Sequence, residues 1–71
     1  MTVNDLSYDV LTALQSKLES VAAYETFIED CEEAGDTECR QLFEQMRERD
    51  EQDAEKLTST LERLVREGKL H

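Results

Sequence analysis

The chain contains no proline and no tryptophan, and its only two glycines are Gly35 and Gly68. Without proline nothing breaks a helix from inside, and two glycines cannot supply the turns of a many-stranded fold. Lysine is confined to Lys17, Lys56 and Lys69, histidine to His71, and cysteine to Cys31 and Cys39. Two cysteines make no secreted disulfide framework, and their spacing lacks the close pairs of a zinc site. No apolar run approaches the ~20 residues that a membrane-spanning helix needs. The first residues also lack the basic start and apolar centre of a signal peptide. The expectation is a cytoplasmic protein with no membrane partner.

What the chain does have is acid. Asp and Glu number 18 against 8 Lys and Arg, for a formal net charge of −10. That charge opposes both nucleic acid and anionic lipid as partners. An acidic, lysine-poor surface is the one expected of a halophilic, salt-rich cytoplasm, where charge keeps a protein soluble while salt screens its self-repulsion. A chain of 71 residues is one domain at most, spanning 1–71, and has little room for a core. Self-association, as a homodimer or a higher even oligomer, is the expectation; no other protein partner is named by the sequence.

Apolar residues recur in steps of three and four from Leu6 through Val10, Leu11, Leu14, Leu18, Val21, Ile28 and Cys31, which places them on one stripe of a first helix. Thr2, Asn4 and Ser7 are each available as its N-cap. The stripe resumes at Cys39, Leu42, Phe43, Met46, Leu57, Leu61 and Leu64. The expected boundaries are helix one over 5–33, a turn at 34–36, helix two over 37–67 and a frayed tail at 68–71. Gly35 is suited to the left-handed residue that closes a helix, and Asp36 to the cap that opens the next. So short a turn makes the helices antiparallel neighbours. Each stripe is wider than one neighbour covers. The expected fold is therefore all-α: an antiparallel two-helix hairpin whose homodimer forms a four-helix bundle, with Leu11, Leu14, Leu18, Val21, Ile28, Leu42, Met46, Leu57, Leu61 and Leu64 at the interface.

Polar residues interrupt the stripes. Glu25 falls at an apolar position of helix one, and Asp50 and Asp53 fall between Met46 and Leu57 in helix two. Antiparallel packing about Gly35 sets Lys17 and Leu18 level with Asp53, Val21 with Asp50, Glu25 with Gln45 or Met46, and Cys31 with Cys39. An unpaired buried carboxylate is expensive, so these groups must be solvated, protonated, paired with a cation or bound to metal. Lys17 is the nearest cation of the same chain.

The run Ala22-Ala23-Tyr24-Glu25-Thr26-Phe27, then Gly35, Leu42-Phe43 and Asp50-Glu51-Gln52-Asp53-Ala54-Glu55-Lys56-Leu57 resembles the rubrerythrin-like branch of the ferritin-like superfamily. The resemblance covers a little over half the chain. It implies paired helices in which a glutamate of the first and a Glu-x-x-His of the second bind iron. Here the glutamate position falls on Lys17 and the Glu-x-x-His on Asp50-x-x-Asp53, while Tyr24 and Phe27 match the aromatic positions. With the ligands replaced, the resemblance implies a non-catalytic module without cofactor, in which Lys17, Asp50 and Asp53 form a charge layer at mid-bundle. The alternative is a metal-binding or ferroxidase-like protein with Glu25, Asp50 and Asp53 as ligands across subunits. An all-oxygen set of that kind suits manganese, calcium or magnesium better than redox iron.

Overall fold

The structure, a computed structural model, describes residues 3–68, with side chains from Asp5 onward. Helix α1 spans Val3–Ala34 and helix α2 spans Thr37–Arg66; among the described residues there is no strand. Because α1 already begins at Val3, Asn4 and Ser7 lie within the helix and not ahead of it. Thr2 lies outside the described residues, as do Lys69, Leu70 and His71, to which fraying was assigned.

The turn is built from two residues. Gly35 takes φ 71°, its N–H donates to Glu32 O at 3.2 Å, and the Asp36 N–H donates to Cys31 O at 3.0 Å. These two bonds are the Schellman closure, and a left-handed C′ residue is what makes glycine necessary there. Asp36 then turns to extended backbone and accepts the Cys39 N–H at 2.9 Å, capping α2. Glu38 follows in the first turn of α2, and Arg63 and Arg66 stand in its last, both favourable to the helix dipole. The last turn of α1 has no basic residue, so its acidic end depends on the glycine closure.

The hairpin is a rod of 50 × 15 × 14 Å with a radius of gyration of 15.9 Å, against roughly 11 Å for a compact chain of this length. Its seam follows steps of three and four on α1, from Ser7 through Val10, Leu14, Lys17, Val21, Tyr24 and Ile28 to Cys31, all buried or half-buried. Opposite lie Phe43, Arg47, Asp50, Ala54, Leu57, Leu61 and Leu64. The expected stripe through Leu11 and Leu18 is one position off this line, and the two leucines are 45% and 55% exposed. The seam instead accepts Ser7, Lys17 and Tyr24.

By helical spacing the seam has two edges. Leu11, Leu18 and Val65 lie along one, and Leu6, Phe27, Leu42 and Met46 lie along the other. All seven are at least 39% exposed. Fully covered apolar side chains are few: Val10, Ile28, Cys31, Ala54 and Leu64. Ser7 is also buried, at 1% exposure, and its Oγ finds no hydrogen-bond partner among the described residues. An unpaired buried hydroxyl costs on the order of 1–3 kcal/mol. No helix among the described residues is long and apolar enough to cross a membrane.

Candidate functional site

Near the middle of both helices the seam becomes ionic. Asp50 and Asp53, one turn apart, share a face of α2, and Lys17 reaches across from α1. Its Nζ lies 3.2 Å from Asp50 Oδ1 and 3.2 Å from Asp53 Oδ2. The Asp50 side chain is 13% exposed, that of Lys17 36% and that of Asp53 37%, so the layer opens to solvent on the Asp53 side. Hydrogen bonds from the ammonium to Asp53 and then to Asp50 raise the Lys17 pKa above its ordinary value, against a smaller opposing effect of desolvation. Each carboxylate thus spends one oxygen on the same cation. The pairing matches the register set by the short turn, and it answers the charge of Asp50, the deeper of the two acids.

One heptad toward the turn, Tyr24, Phe27 and Phe43 form an aromatic trio. Ring centroids are 5.9 Å apart for Tyr24 and Phe27, 6.0 Å for Tyr24 and Phe43, and 5.4 Å for Phe27 and Phe43. Glu25, between them in sequence, is exposed and stands off the seam. Among the described residues no three His, Cys, Asp or Glu side chains are grouped to hold a metal ion. A single chain therefore does not bring Glu25, Asp50 and Asp53 together as a ligand set. A family model for a domain of unknown function, DUF892, matches residues 5–69. The chain belongs to the DUF892 family. Comparison with curated proteins finds no match, and comparison with solved structures finds none either. The DUF892 match takes in both helices, the turn and the charge layer.

In this DUF892 chain the expected interface residues fall into three groups. Ile28 and Leu64 are covered by the partner helix of the same hairpin, at 7% and 1% exposure, whereas Leu11, Leu18, Leu42 and Met46 are left 39–55% exposed. Leu14, Val21, Leu57 and Leu61 are half-buried in the seam. The spacing alone did not separate seam from edge, and it missed Ser7 and Tyr24 as seam residues. The available signal was the step of three from Val10 back to Ser7 and of four from Val10 to Leu14.

Both cysteines are free thiols, Cys31 buried and Cys39 exposed. The neighbouring Asp36 carboxylate, which favours the neutral thiol and repels the thiolate, pushes Cys39 above its ordinary pKa, with desolvation and smaller repulsions from Cys31 and Glu38 adding to it. The same carboxylate is held below its ordinary pKa, first by the Cys39 backbone N–H and then by the thiol, against desolvation.

A group whose pKa rises on folding stabilises the fold below its unfolded pKa, and that stability is lost as pH climbs through the folded value. Lys17 and Cys39 both shift this way. In a Cys39→Ser background, which removes the thiol's share, the melting temperature is expected to fall as pH rises above about 10. Lys17→Arg, which keeps its charge throughout, should abolish most of that fall. Melting followed by circular dichroism from pH 8 to 12 measures both, and an equal fall in the two proteins would remove Lys17 from the account.

Proposed function

We propose that this chain is a small, non-catalytic, ferritin-like helical hairpin that pairs with a second copy into a four-helix bundle and serves in the cytoplasm as a structural or protein-interaction module. The observation that carries this reading is open surface. The chain exposes 5265 Å², where a compact monomer of its mass would expose about 4500 Å². The excess, roughly 700 Å², is close to the ~800 Å² that each partner gives to a standard interface. The ferritin-like arrangement turns positions 17, 50 and 53 toward the bundle interior, so the edge bearing Phe27, Leu42 and Met46 is the pairing face. There the two charge layers meet at mid-bundle.

The absence of catalysis rests on Lys17. An ammonium within 3.2 Å of both aspartates stands where a cation would bind and repels one. The competing reading, a metal-binding or ferroxidase-like protein, draws on Glu25, Asp50 and Asp53 as ligands assembled across subunits. Elemental analysis of protein purified without chelator separates the two. The expected result is no stoichiometric manganese, iron, calcium or magnesium. A metal present at one per chain or per dimer, and lost in Asp53→Ala, would overturn the proposal.

A further inference from the structure

The pairing face leaves the opposite edge uncovered. There Leu18, 55% exposed, stands over an open groove of about 630 Å³ floored by Val21, Ala54 and Thr58 and walled by Glu51 and Glu55. The floor is low because α2 places small side chains at Ala54 and Thr58, and Ala54 is itself buried in the seam at 7% exposure. A ridge of leucine-sized side chains fits beside Leu18, and Leu11 and Val65 extend the apolar line toward the open end. The wall is anionic. Glu51 is half answered by Arg47 at 3.4 Å, and Glu55 adds a second carboxylate one turn along.

We propose that this groove docks a cationic amphipathic helix of another protein, its apolar ridge against Leu18 and its lysines or arginines against Glu51 and Glu55. The inference rests on the reading of the chain as an interaction module whose other edge is taken by self-pairing. Helix-in-groove recognition needs an apolar floor for spaced anchors and a rim that sets orientation. Charge complementarity selects the occupant. A basic helix is drawn to the Glu51 and Glu55 rim by the acidic field of the whole chain, whose formal net charge is −10.

Fluorescence polarisation with a labelled synthetic amphipathic helix of leucine and lysine tests this on the full chain. The wild type is expected to bind, more weakly as salt rises. Leu18→Gln, and Glu51→Gln combined with Glu55→Gln, should each weaken binding at least about tenfold. Glu29→Gln combined with Glu33→Gln makes the same charge change near the turn and should weaken it less than about threefold. Equal loss in the two double variants would mean unspecific charge attraction and would overturn the proposal. So would undiminished binding to Leu18→Gln, or no binding by the wild type at micromolar concentration. Circular dichroism verifies that each variant folds. Sedimentation of the same samples reads the pairing separately: a monomeric wild type would refute self-pairing whatever the peptide does, and a mass halved by Leu18→Gln would make this edge the self-contact and refute the docking proposal.

Discussion

Leu64→Ala is expected to leave the chain largely unfolded at concentrations too low for association. Leu64 is the largest fully buried side chain, at 1% exposure. Truncating such a leucine removes its transfer free energy and leaves a cavity, together about 2–5 kcal/mol. A chain this short holds roughly 3–5 kcal/mol in a single core, so the loss approaches the whole. The position matters as much as the size. The register that sets Lys17 against Asp50 and Asp53 brings Ser7 close to the level of Leu61 and Leu64, where no turn ties the helices together. Ser7 and Leu64, each 1% exposed, close that end. Leu64→Met conserves volume and should cost less than about 1.5 kcal/mol. Urea melts followed by circular dichroism measure both variants. A loss below about 1 kcal/mol in Leu64→Ala would show that the open end is not held by packing.

Raising the salt concentration is expected to tighten self-association, the reverse of what interfacial ion pairs would give. Each chain carries a formal net charge of −10. Two such charges roughly 20 Å apart repel by about 3 kcal/mol in water when the screening length is ~10 Å, as at 0.1 M salt. Near 1 M the screening length shortens to ~3 Å and the repulsion nearly vanishes. The association constant should therefore rise by about 100-fold between the two conditions. The proposed pairing face at Phe27, Leu42 and Met46 is apolar and exposed and would gain nothing from low salt. Sedimentation equilibrium across a potassium chloride series reads the constant directly. A flat or falling constant would assign the interface to ion pairs instead.

The turn was the most legible part of the molecule. Gly35 and Asp36 each have one favoured role: the N–H groups of both close α1 around the left-handed glycine, and the Asp36 carboxylate accepts the Cys39 N–H to cap α2. The spacing of Lys17 from Asp50 and Asp53 was legible for the same reason, because a two-residue turn leaves no freedom in register. The start of α1 was not, since three candidate caps precede or enter the same apolar run. Nor was the division between seam and edge. Apolar residues at Val10 and Leu11, and again at Leu14 and Leu18, cover more arc than one partner helix can bury, and hydrophobicity alone does not say which half of the arc faces inward. Ser7 was hidden because a small hydroxyl resembles a surface residue until the opposing Leu64 closes over it. The charge layer gave its partners in the sequence but not its exposure: Asp50 lies deeper than Asp53 because it falls on the seam and Asp53 on its edge.

The resemblance and the family match bear on different questions. Membership of DUF892 covers the chain from the first turn of α1 to beyond α2, and the hairpin is its architecture here. Pairing into a bundle is the proposed step that would cover the exposed edge. The most direct measurement is the mass of the protein in solution, by sedimentation equilibrium at micromolar concentration in concentrated potassium chloride. A mass twice the 8.2 kDa of the chain is the result this account predicts. A folded species at 8.2 kDa would contradict it.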